Sequence, residues 1–382
     1  MHTKTSAPGA ESPSSVVFTA EGIAYEFAQE LGTGPHGERM LLACPRLPDG
    51  PGAPVVIKTL RPTDDARARK RLADEVQLAS LLQHPGITRG YGLHEVEGTL
   101  YAVLEYMEGR SLDELYTDAL LCGSFCSEPL VLYIAAELAS ALHAAHTLTD
   151  ERGQPRGIVH RELHPERIRL GLQGQVKLGG FGVPAPLPRL PGHLIYTAPE
   201  QLLQRPVDAR TDLFSLGLVM LELLTGQHLY RLLEDVDLRL MGLNMAELPS
   251  DKLRLMEATI EELGRLHEVG FRQEEPEELA ERATSFDARD VERLAQELPE
   301  PTRAILHKLL RPEPQERYPS AAELERALRE RLQALGPYGA QEAAEEVFLL
   351  QVEACGLASL VSDQEPGLFL QGSPDESPTE SA

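Results

Sequence analysis

Gly32, Gly34 and Gly37 stand in the run Gly32-Thr33-Gly34-Pro35-His36-Gly37, between two stretches of strand-like sequence. Glycine lets a backbone turn tightly and approach phosphate oxygens, so the run is a candidate anion cradle, a weak signal taken alone. The next strand-like run, Val55-Val56-Ile57-Lys58, ends on a lysine, and Glu75 lies on the helical segment that follows, within reach after folding. Farther along come His160-Arg161-Glu162-Leu163-His164-Pro165, Gly180-Phe181-Gly182, Ala198-Pro199-Glu200, Asp212 and Arg317. Anion-binding backbone, a cation and carboxylates in this order could hold and polarise a phosphorylated ligand.

Those residues need elements to position them. Short period-2 runs at 24–30, 39–44, 55–60, 92–95 and 100–106 predict a small sheet, interrupted by one helix over 66–82. That helix puts Leu72, Val76, Ala79 and Leu82 on one face and stops before His84, Pro85 and Gly86. After Gly109 the pattern turns helical, at 130–146, 212–225, 251–267, 289–297, 302–310 and 321–335. The acidic stretch containing Glu274, Glu275, Glu277 and Glu278 reads as a solvated helical face. A further helix is expected over 341–355, with Val347, Leu350 and Val352 available for docking, and Ser, Pro, Glu and Asp from 362 onward suit a disordered end.

The net charge of −24 excludes most surfaces that bind nucleic acid, because the phosphate backbone would be repelled. A neutral or basic protein partner is easier to accommodate. Residues 1–15 lack an apolar core segment, so the reading is a cytoplasmic chain without a signal peptide. The longest apolar run, Leu213 to Leu224, carries Glu222 and is too short for a bilayer, which argues against membrane insertion. Cys44, Cys122, Cys126 and Cys355 do not form a zinc-ligand pattern and read as reduced thiols; His143 and His146 read as packing or surface residues.

The ordered set from the glycine run to Arg317 resembles the protein-kinase signature, and is similar to that of bacterial serine/threonine kinases from Ile23 to Leu335. The resemblance implies an α+β, two-lobed fold with a β-rich small lobe containing one helix and a larger, mainly α lobe. Its implied boundaries are a flexible tail at 1–20, a domain at 21–335 (lobes 21–107 and 110–335, acidic helical region 227–300), then a helix and acidic tail at 336–382. It implies architectural roles for Asp212, holding the catalytic-loop backbone, for Glu200 with Arg317 as a buried ion pair, and for His160 and Phe181 as a stack. Lys58 and Glu75 would align nucleotide phosphates in an active enzyme or tie helix to sheet in an inactive one. Glu105 and Met107 join the implied nucleotide-facing set.

The departures from that signature matter as much. In active kinases the aspartate of the DFG motif and the catalytic-loop asparagine hold the metal ions; here those positions are Gly180 and Arg167, so no metal site is expected. The base position is Glu162, one methylene longer than aspartate. At the adenine slot Arg39, Val56 and Arg169 replace smaller or apolar residues, and the two arginines are expected to point outward or pair with acids. The segment from Gly182 to Tyr196 has no serine or threonine, is stiffened by Pro184, Pro186, Pro188 and Pro191, and has His193 where a threonine is expected.

Three functions fit these residues. The first is a catalytically impaired pseudokinase that binds and regulates another protein, an active kinase or its substrate, with no cofactor. The second is an atypical serine/threonine kinase using Glu162 as base and Lys58 on the ATP phosphates. The third is a nucleotide sensor without phosphotransfer, in which Arg167, Arg169 and Lys58 let ATP bind without a normal Mg²⁺ site.

Overall fold

The computed structural model describes residues 15–34, 37–122, 125–182, 194–230 and 276–362. The expected helix at 251–267, Glu274, Glu275, the proline-rich segment with His193, and residues 363–382 lie outside the described residues.

Alternation of side chains builds the small lobe. β1 (Val16–Ala20), β2 (Ile23–Thr33), β3 (Arg39–Leu47), β5 (Val55–Leu60), β7 (Thr99–Glu105) and β6 (Gly90–Val96) form one antiparallel sheet in that spatial order, with β4 (Gly50–Pro51) paired to β3. Leu41, Ala43, Val55, Ile57 and Val103 point to one face, where Phe18 stacks on Tyr25 and Tyr101. Val56, Leu60, Ala102 and Leu104 point to the other, against α1 (Ala66–Leu81) through Leu72, Val76 and Ala79. Lys58 shares this second face, so the period of two itself aims it at the helix. Asp65 caps α1 by accepting the amide of Arg67.

The reading of 1–20 as a flexible tail is corrected from residue 16 onward: Val16–Ala20 is the edge strand β1, and Phe18 is buried. One apolar residue in the register of β2 secures a strand that composition alone placed in a tail.

The large lobe is organised around two buried helices, α3 (Glu128–His146) and α5 (Ala209–Thr225). Both are apolar nearly all round, as befits helices covered on every side. Around them lie α2 (Leu112–Leu121), the short α4 (Pro199–Leu202), α6 (Pro276–Ser285), α7 (Ala288–Ala295), α8 (Glu300–Leu309) and α9 (Ala321–Leu335). A small sheet, β10 (Val176–Leu178), β9 (Ile168–Gly171) and β8 (Gly109–Ser111), lies beneath the junction of the lobes. The last helix, α10 (Ala340–Ser362), runs past the expected 341–355 and packs on α2 and α3. Among the described residues no helix is long and apolar enough to cross a membrane.

Candidate active site

β5 presents Lys58, and α1 presents Glu75 opposite it; the two form a buried ion pair at 2.7 Å. They stand at the inner end of a cleft of about 450 Å³ between the lobes. Its apolar wall comes from Leu31, Met40, Val56, Ala79, Leu104 and Met107, and its polar wall from Glu105, Arg167, Arg169, Lys177 and Gly180. The structure thus gathers Val56, Lys58, Glu75, Glu105, Met107, Arg167, Arg169 and Gly180 into one place.

Arg39 is not there. In the register of β3 on β5, Met40 faces Lys58 and Arg39 faces Thr59. Arg39 therefore points to the outer face, where its guanidinium donates to both carboxylate oxygens of Glu30 at 2.7 and 2.8 Å. The cleft-facing side chain is Met40, an apolar residue; Arg39 points outward and pairs with an acid, as expected, and what the register corrects is the placing of Arg39 among the residues of the slot. Arg169 is corrected in the opposite sense: it stays on the cleft wall and donates to the carbonyl of Gly109 at 2.7 Å, a backbone partner and not an acid.

The catalytic-loop segment is held from below. The buried Asp212 carboxylate accepts the amides of His160 and Arg161, each at 2.8 Å, and the Nε2 proton of His146 at 2.8 Å. Burial pushes that carboxyl up, but the His146 hydrogen bond, the electrostatic influence of the neighbouring His146 and His160 rings and the Arg161 amide outweigh it and hold it below the usual carboxylate range. His146 thus belongs to this anchor, a role that its place on an apolar helix did not signal. His160 packs edge-on against Phe181 with ring centroids 4.6 Å apart, and donates to the carbonyl of Gly179 at 2.9 Å. Deeper in the large lobe, Arg317 grips Glu200 with two bonds of 2.8 Å and lies over the ring of Phe214.

At the metal positions the residues do not fit a divalent cation. Gly180 adopts φ +85° and has no oxygen side chain; a Cβ there would stand 3.0 Å from Cδ and Nε of Arg167. The Arg167 guanidinium fills that space and donates to the buried Glu162 carboxylate at 3.2 Å. A guanidinium thus pairs with the Glu162 carboxylate beside Gly180, a donor set that does not suit a divalent cation.

Comparison with known proteins bears on this geometry. The sequence model for the protein kinase domain matches residues 25–328. The chain belongs to the protein kinase family. Over 187 residues this kinase-family chain is 36% identical to the tyrosine-protein kinase MasK of Myxococcus xanthus, a match covering 46% of this chain and 29% of that protein. It is 32% identical over 187 residues to the serine/threonine-protein kinase PrkC of Bacillus subtilis, covering 45% of this chain and 26% of PrkC. The chain thus spans less than a third of the length of either relative. The PknI kinase domain of Mycobacterium tuberculosis shares the fold, with a TM-score of 0.50 at 22% identity over 83% of this chain and 98% of that one.

Lys177, which lines the kinase cleft, and Glu38, which lies behind it against Lys58, were not anticipated. Lys177 crosses from β10 to Glu105 at 2.9 Å, tying the small sheet to the strand that leads between the lobes. Glu38 follows the glycine run and is buried, with its carboxylate 4.0 Å from Lys58. The period of two, counted back from Met40, was the signal that would have turned Glu38 inward.

Proposed function

We propose that this chain is a protein-kinase-fold regulator that acts by binding another protein and does not carry out metal-assisted phosphotransfer. The observation that carries the reading is Arg167, paired with Glu162 and packed over Gly180. Phosphoryl transfer depends on positioning and on neutralising the charge of the phosphates by metal ions. Here the metal volume holds a guanidinium, and the carboxylate in the base position is engaged by it. A base in a charge-assisted hydrogen bond is a poor proton acceptor for a substrate hydroxyl.

What remains intact is architecture: the Asp212 anchor, the Glu200–Arg317 pair and the His160–Phe181 stack all serve the fold. A fold kept in good order around an altered cleft suits recognition by surface, and the charge of −24 favours a basic partner, an active kinase or its substrate.

A second reading, an atypical serine/threonine kinase, draws support from the intact Lys58–Glu75 pair. Transfer of labelled phosphate from ATP, with Mg²⁺ or Mn²⁺, to the chain itself and to a generic basic acceptor separates the two. The regulator reading expects no transfer above that of Lys58→Ala. Transfer that Lys58→Ala abolishes overturns it in favour of the kinase.

A further inference from the structure

Two described amides of the glycine run are bonded within it and to the residue after it. The amide of Gly34 donates to the carbonyl of Glu38 at 2.7 Å, and the amide of Gly37 donates to the carbonyl of Gly34 at 3.0 Å. The amides of Gly34 and Gly37 are thereby engaged by backbone carbonyls. Gly34 is not among the residues with positive φ, so its backbone does not demand glycine. A Cβ at Gly34 would collide with Cδ and Oε1 of the Glu38 side chain as it is placed here. The missing side chain makes room for a carboxylate belonging to the protein itself.

That carboxylate is 2% exposed as part of Glu38 and lies 4.0 Å from the Lys58 ammonium, which Glu75 already holds at 2.7 Å. Two carboxylates therefore flank one lysine at the inner end of the cleft. An external anion entering here meets engaged amides and a lysine already flanked by two carboxylates in a poorly solvated place.

We infer that Glu38 is an internal counter-anion standing where the loop and Lys58 would otherwise receive a phosphate, and that it sets the cleft against phosphate-bearing ligands. The inference rests on the cleft geometry and goes beyond the proposed function, since an inactive chain could still bind nucleotide.

The test uses the full chain in EDTA, with inorganic triphosphate as an anionic probe and adenosine as an uncharged one, read by thermal shift and calorimetric titration. Glu38→Gln keeps shape and removes charge. It should gain triphosphate affinity by about tenfold or more over the natural chain. Its response to adenosine should not change, and the gain should vanish when Lys58→Met is added. Glu38→Asp, which keeps the charge, should behave as the natural chain does.

No gain in Glu38→Gln, or an equal gain in Glu38→Asp, overturns the inference. If the glutamine variant loses its cooperative melt, Glu38→Ala is read in its place with the same criteria. Triphosphate binding is scored without any transfer step, so failure here is distinct from failure of the regulator reading.

Discussion

His160 accepts the amide of Glu162 at Nδ1, 3.3 Å away, and faces the carbonyl of Gly179 with Nε2. This is the pattern of a neutral ring, and burial lowers its pKa from the ordinary 6.5, outweighing the opposing charge of Asp212. The folded chain therefore binds this proton less readily than the unfolded chain. The contribution is complete above about pH 6.5 and declines as pH falls from there toward the lowered folded value. Urea midpoints measured from about pH 7.5 down to 5.5 should fall, and less steeply in His160→Asn; equal slopes would refute the assignment. The Glu200–Arg317 pair is the other residue-scale prediction. Arg317→Ala strands a buried carboxylate and should cost about 3–5 kcal/mol in chemical denaturation. Both residues were legible in the sequence because each belongs to a spaced motif. Arg39 was assigned to the slot because motif counting does not say which face a strand presents, and the β3–β5 register puts Met40 beside Lys58 instead.

At the scale of elements, α10 is fastened by one carboxylate. Glu346 accepts the amide and the hydroxyl of Ser127 at 3.1 and 2.7 Å, and the hydroxyl of Tyr338 at 2.7 Å. Ser127 is the N-cap of α3, so the last helix is tied to the start of the central one. Beneath it, Cys122 is buried with Sγ 3.6 Å from the carbonyl of Leu350. Glu346→Ala should lower stability by about 1–3 kcal/mol in urea denaturation, through the loss of shared hydrogen bonds. It should also speed alkylation of Cys122 relative to the exposed Cys355, as followed by peptide mass spectrometry; an unchanged ratio would mean that α10 does not guard this thiol. The helix itself was foreseen from its apolar spacing, although its anchor was not, since a lone glutamate in an acidic helix carries no local sign of a distant partner. α2 was missed for a related reason: Leu112–Leu121 is short, and tertiary packing of Leu112 and Leu115 sustains it more than any periodic stripe.

For the whole molecule the dominant quantity is the net charge of −24. Most ion pairs among the described residues outside the cleft and core are at least partly exposed and stabilise little. Self-repulsion should therefore govern the salt response, and raising NaCl from about 20 to 200 mM should lift the melting temperature by a few degrees; a fall would show that the surface pairs matter more. The two-lobed architecture was legible because the spaced motifs and the change from period two to helical spacing agree with one another, the mutual support that makes a fold specific. The distribution of charge within the cleft was less legible, because it depends on which way each strand faces. The match to the protein kinase domain ends at residue 328, yet Ala343 and Val347 belong to the same apolar core as the helices before that point. The stretch that matches the family and the stretch whose side chains complete the core of the lobe therefore differ in length, and a boundary drawn at the end of the match would cut through a core.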